Sequence, residues 1–120
     1  MHLPWKNSAQ RRAKTTQIAK DRLEAVRRTH AIRVKELNGH KRIQREFEKT
    51  KVQELANSVK SIGGEGHILL PTLSKEDSIE AEATRTRTKA ASGAFITASR
   101  ELETAQKELF EAQVNELLHG

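Results

Sequence analysis

Alanine recurs at Ala91, Ala98, Ala105 and Ala112, and larger apolar residues interleave at Phe95, Leu102 and Leu109, each set seven residues apart. A strict heptad with a small residue at one seam position and a large one at the other predicts a coiled-coil seam. Small residues let two helix axes approach closely, which suits a tight antiparallel pair. The helix carrying this seam is expected over 74–118. Ser74 with Asp77 three residues on reads as a capping box, and no proline follows. "TRTRTK" at 84–89 continues the register through Thr84 and Thr88 with less apolar character. Near the end, Phe110, Val114, Leu117 and Leu118 widen the apolar face. One partner helix does not cover both Leu109 and Phe110, so these four are the expected contact with a third helix or another subunit.

The first half of the chain has a thinner pattern. Pro4 and Trp5 are followed by Asn7 and Ser8, either of which suits a helix N-cap. From about residue 8 a stripe runs through Ala19, Leu23, Val26, Val34 and Leu37, with His30 midway in its widest gap. A second run, Val52, Leu55, Val59 and Ile62, is spaced 3-4-3, with Ile43 and Phe47 on a slightly rotated face. Asn38-Gly39 is the one point where this helix is expected to end or kink. The fold class is therefore all-α: an elongated antiparallel helical hairpin or coiled coil of two to three helices in one domain. Its parts are an N-terminal arm (1–7), a basic helical arm (8–62), a Gly-rich reversal (63–73) and an alanine-seamed helix (74–118).

Composition supports a thin structure. Hydrophobic residues make up 35% of the 120, below the usual ~45–50%, and only Trp5, Phe47, Phe95 and Phe110 are aromatic. Cysteine is absent, which excludes disulfide scaffolds, zinc–thiolate sites and thiol catalysis. No apolar run approaches the ~18 residues of a transmembrane helix, and the first twenty residues lack a secretory h-region. Those twenty hold five basic residues and no acid, a composition that also suits a transit peptide, a membrane-surface arm or a nucleic-acid arm.

The net charge of +6 hides an asymmetry. Residues 1–62 carry 16 Lys/Arg and 6 Asp/Glu, whereas residues 63–120 carry 6 and 10. The excess on the first half is available for a polyanion or an acidic protein surface. Arg11, Arg12, Lys14, Arg22, Arg27, Arg28, Arg33, Lys41 and Arg42 are the candidates for that contact. No zinc finger, aromatic RNA-binding motif or helix-turn-helix supports reading of base sequence, so such contacts would go to phosphates and depend steeply on salt.

Other candidate chemistry is sparse. "GGEGH" at 63–67 lacks the lysine and hydroxyl of a P-loop and the third glycine of a dinucleotide fingerprint. Its glycines read as a helix C-cap and chain reversal. The five histidines, His2, His30, His40, His67 and His119, form no metal-binding spacing, and no metal or cofactor is expected. The acids Glu101/Glu103 and Glu108/Glu111 read as a solvated helical face, with Glu103 and Lys107 an i,i+4 pair. Catalysis and a small-molecule substrate are not expected.

Residues 15–26, "TTQIAKDRLEAV", resemble the segment of the bacterial cell-division factor MinE that contacts its ATPase partner, through Ile18, Ala19, Lys20, Arg22 and Leu23. The likeness covers about a tenth of the chain, and the remainder does not resemble the αβ dimerisation domain of that family. It implies a membrane- or ATPase-interacting peptide at the N-terminus. The leading expectation is different: a soluble, non-catalytic structural or adaptor subunit of an oligomeric assembly, intracellular or virion-associated, such as a phage connector or internal protein, or a secretion or rotary stalk. A non-specific nucleic-acid-binding protein using the basic half is the alternative.

Overall fold

A computed structural model describes residues 4–61 and 73–119. Two α-helices account for nearly all of them: α1 (Pro4–Ser61, 58 residues) and α2 (Lys75–His119, 45 residues). Among the described residues only Leu73 and Ser74 lie outside a helix, and there is no strand. The expected reversal at 63–73 falls, except for Leu73, outside the described residues.

α1 begins four residues earlier than the start expected at residue 8. Proline is well placed there, because its fixed φ is helical and its missing N–H would find no intrahelical acceptor at a helix start. The helix also runs unbroken through Asn38-Gly39, so the described residues contain two helices and not three. A single Asn-Gly pair costs a long helix about 1–1.5 kcal/mol in propensity, too little to stop one whose inner face is packed. α2 starts where its cap places it. The Asp77 amide donates to Ser74 Oγ at 3.1 Å, and the Ser78 amide donates to Ser74 O at 2.9 Å. The box is only half made, however, because the Asp77 carboxylate turns to Lys51 at 3.1 Å.

The chain divides into two compact units, one of Met1–Val34 with Ala94–Gly120 and the other of Lys35–Gly93. In the first, Thr16, Ala19 and Leu23 of α1 are buried, and Val26 and His30 half-buried. Ala98 and Ala105 of α2 are the most enclosed residues, only 3% and 2% exposed, while Phe95, Leu102, Leu109 and Ala112 are half-buried. Pairs between the segments fix their sense. Thr16 bonds Glu116 at 2.9 Å, Arg22 bonds Glu108 at 2.8 Å, and His30 Nε2 lies 3.2 Å from Ser99 Oγ. Rising numbers on α1 meet falling numbers on α2, so the segments are antiparallel. His30 occupies the gap in the apolar stripe, its ring centroid 5.5 Å from that of Phe95.

In the second unit the buried residues are Leu37 of α1 and Ala81, Thr84 and Ala91 of α2. His40, Gln44, Phe47, Lys51 and Leu55 line the inner side of α1 half-buried. Thr88 Oγ1 donates to Thr84 O at 2.9 Å and lies 3.3 Å from His40 O, and Lys51 meets Asp77 at 3.1 Å, again antiparallel. Of the apolar run Val52, Leu55, Val59 and Ile62, only Leu55 faces inward among the described residues. Val52 and Val59 are both exposed, while Ile62 lies outside the described residues. Leu37, Gln44 and Lys51 follow each other at seven-residue steps, and holding that register turns Val52 and Val59 outward.

Leucine at Ala98 or Ala105 would drive side-chain volume between helices already in contact. Each substitution should lower unfolding free energy by about 1–3 kcal/mol through overpacking, while Ala90→Leu, on an exposed face, should change it by less than about 0.5 kcal/mol. Urea denaturation followed by circular dichroism measures this, and an unaffected Ala105→Leu would remove the close-packed seam.

Gly39 and Gly93 sit within helices, and a Cβ at either would meet nothing within 4 Å. Neither glycine is required by close approach. Alanine at each should raise stability by about 0.5–1 kcal/mol, seen as a higher denaturation midpoint.

Candidate functional site

Three chemically distinct surfaces arise from the way the helices pair: a cationic one, a polar contact inside a seam, and an apolar one. Of the nine cations expected to contact a polyanion, all but Arg12 and Arg33 are exposed. Four of the nine are engaged. Arg22 and Arg28 pair with Glu108 and Glu24, Arg12 is half-buried and donates to His119 O, and Arg33 is half-buried and engaged as well. Lys41 and Arg42 belong to the second unit and the other seven to the first.

The structure gathers a different set. In the second unit, residues 35–45 of α1 lie beside residues 83–93 of α2, as the Thr88–His40 contact requires. These two stretches hold Lys35, Lys41, Arg42, Arg45, Arg85, Arg87 and Lys89, with Glu36 the only acid. All seven cations are exposed. Arg85 reaches Glu48 loosely, at 3.8 Å. Three of the seven come from the half of the chain that is acidic overall, where a count by halves conceals them. The alternation in "TRTRTK" is the available signal: Thr84 and Thr88 turn inward and the cations between them turn outward.

The polar contact centres on Lys51. Its ammonium lies 3.1 Å from Asp77 Oδ1 and 3.1 Å from Glu54 Oε2, and 5.6 Å from the Phe47 ring centroid. The hydrogen bond to Asp77, then that to Glu54, holds its pKa above the ordinary lysine value, with burial opposing in part. Nothing in the hydrophobic pattern marks this residue as inward-facing.

The apolar surface is the C-terminal part of α2. Phe110, Leu117 and Leu118 are 66%, 85% and 73% exposed, and Val114 is half-buried. Phe110, Val114 and Leu117 follow at steps of four and three and so share one face. Of the segment resembling MinE, Ala19 and Leu23 are buried against α2 and Ile18 is exposed, so helix pairing accounts for the two buried residues.

Among the described residues no three His, Asp or Glu side chains converge as a metal cage, and no helix is long and apolar enough to cross a membrane. Compared with known protein families, characterised proteins and solved structures, the chain matches none.

A lysine pKa raised by folding means a contribution fully present below the unfolded value of about 10.4 and lost as pH rises through the folded value. Lys51→Met should therefore be less stable than the parent at about pH 8, and the difference should shrink as pH rises above about 10.4. Paired urea titrations across that range test it; a constant difference would show that the ammonium's charge contributes nothing.

Proposed function

We propose that this protein is a non-catalytic structural or adaptor subunit of a larger protein assembly, with its apolar surfaces covered by neighbouring subunits. One observation carries the reading: nearly half of the large apolar residues among the described residues are exposed, outside the helix pairs. Among the described residues, Leu23 and Leu37 are the only large apolar side chains that are buried. Ile18, Ile32, Ile43, Val52, Val59, Ile79, Ile96, Phe110, Leu117 and Leu118 are exposed. Single exposed apolar residues are ordinary, but Phe110, Val114 and Leu117 form a continuous helical stripe, and such stripes mark interaction surfaces.

The energetics agree. An alanine seam buries mainly methyl groups, each worth about 0.8 kcal/mol, so docking to other subunits supplies stability that the seam alone does not. A virion connector or internal protein, or a stalk of a secretion or rotary machine, would use such a chain.

Phe110→Ser/Leu117→Ser should leave helicity intact and abolish association. Sedimentation at concentrations up to about 0.1 mM, together with a photo-crosslinking residue at Gln113 in the native cell, reads this out. The parent should oligomerise or give discrete protein adducts that disappear in the double variant. A monomeric parent without adducts would sink the proposal.

A further inference from the structure

We infer that the cationic belt of the second unit, made by Lys35, Lys41, Arg42 and Arg45 of α1 with Arg85, Arg87 and Lys89 of α2, is a seat for the phosphate backbone of a nucleic-acid duplex. This role is independent of the subunit role proposed above. The belt concentrates charge. Residues 35–45 and 83–93 hold seven cations and one acid, a net of +6, equal to the net charge of the whole chain. They occupy about 16 Å of helix axis.

The side chains are available. All seven are exposed. Among the described residues only Arg85 of the seven shows an ion pair, to Glu48 at 3.8 Å, and Glu36, the one acid in the belt, is itself engaged. Lys41 and Arg45 are one helical turn apart on α1, as are Arg85 and Lys89 on α2. The Arg85–Glu48 contact puts these two rows on the same flank, because Glu48 lies two turns beyond Lys41. Arg42 and Lys35 continue the belt around the outside of α1, again two turns apart, and Arg87, two residues from Arg85, continues it on the other side of α2. Thr86, exposed between Arg85 and Arg87, adds a hydroxyl donor of the kind that phosphate contacts use.

Charge density decides between anionic partners. A duplex carries one negative charge per about 1.7 Å of axis, and the shared flank of the two helices offers it Lys41, Arg45, Arg85 and Lys89, about one cation per 4 Å of helix. The acidic end of a second copy is far more dilute. Residues 94–119 hold five acids and two bases over about 40 Å. A lipid surface would call for an apolar anchor beside the cations, and the belt offers only Ile43 among its exposed large side chains. Phe47, the nearest phenylalanine, is half-buried beneath Lys51, so the belt itself presents no exposed ring to stack on a base. Binding is therefore to phosphates and independent of sequence.

The test uses the full-length protein and a 30-base-pair mixed-sequence DNA duplex, about three helical turns, with anisotropy read across a salt series. The parent should bind with log K falling linearly in log salt. Arg85→Gln/Lys89→Gln should reduce that slope by about 2, at about 0.9 per phosphate contact, and weaken binding on the order of tenfold at moderate salt. Lys14→Gln/Lys20→Gln/Arg27→Gln, which removes three exposed cations of the first unit, should have the smaller effect. If the α2 variant loses helicity, Lys41→Glu/Arg42→Glu on α1 gives the same readout. The duplex seat is overturned by absence of binding at low salt, by an α2 variant that binds like the parent, or by a larger loss in the first-unit variant. It is equally overturned if polyglutamate or phosphatidylserine vesicles are bound as tightly as the duplex.

Discussion

The seam of small residues on α2 is the constraint from which the rest of the structure follows. Alanine at positions 91, 98 and 105 is nearly inaccessible, so those positions of α2 must hold short side chains, while the opposing helix buries Leu23 and Leu37. Threonine fits that space but brings a hydroxyl that cannot be left unsatisfied. On α2 the threonines resolve this within their own helix: Thr84 donates to Ala81 O at 2.9 Å and Thr88 to Thr84 O at 2.9 Å. On α1, Thr16 reaches across to Glu116 at 2.9 Å, with Arg12 O of its own helix 3.1 Å away. Back-bonding of the α2 kind is slightly unfavourable in an isolated helix. Here it allows a polar residue to occupy a position sized for alanine.

A repeat of identical alanines does not by itself define register. Sliding one helix by seven residues would place alanine where alanine had been, and the apolar contacts would be nearly unchanged. Unlike pairs break that degeneracy. In the first unit, His30 meets Ser99 and Phe95, and Arg22 meets Glu108. In the second, Lys51 sits between Asp77 and Glu54. A one-heptad slip would set Thr84 in the place of Asp77, and Lys51 would lose its carboxylate partner on α2. Ion pairs inside a helix seam are weak sources of stability, and their best-attested use is to fix register. These pairs fit that division of labour.

What can be read from the sequence follows from the same physics. The α2 seam is legible because alanine and the large residues repeat every seven positions without interruption, and the Ser74 cap because its hydroxyl stands three residues before an acid. The inner side of α1 is only half legible. Ala19, Leu23 and Leu37 announce themselves, but His30, Gln44 and Lys51 are polar, and a search for apolar periodicity passes over them. It settles on Val52 and Val59, which are well spaced and point outward. Only the partner helix, with Ser99 and Asp77 in place, shows why polar residues belong there. The cationic belt is hidden for a related reason: its two groups are some forty residues apart in sequence and meet only through antiparallel pairing.

The thin seam and the exposed apolar residues are two sides of one allocation. A helix has a single inward stripe, and in α2 its most enclosed positions go to alanine and threonine, with Phe95, Leu102 and Leu109 half-buried beside them and Ile79, Ile96, Phe110, Leu117 and Leu118 exposed. Placing large residues inward would have made each helix pair more self-sufficient and its outside more polar. The observed arrangement encloses small side chains most fully and leaves several bulky ones outside. The cations follow the same geometry. Because Thr84 and Thr88 take the inward positions of "TRTRTK", the arginines and lysine beside them have no inward option, and their charge adds to that of Lys41, Arg42 and Arg45 on the neighbouring helix. The identity of the small residues within thus determines which chemistry is displayed without.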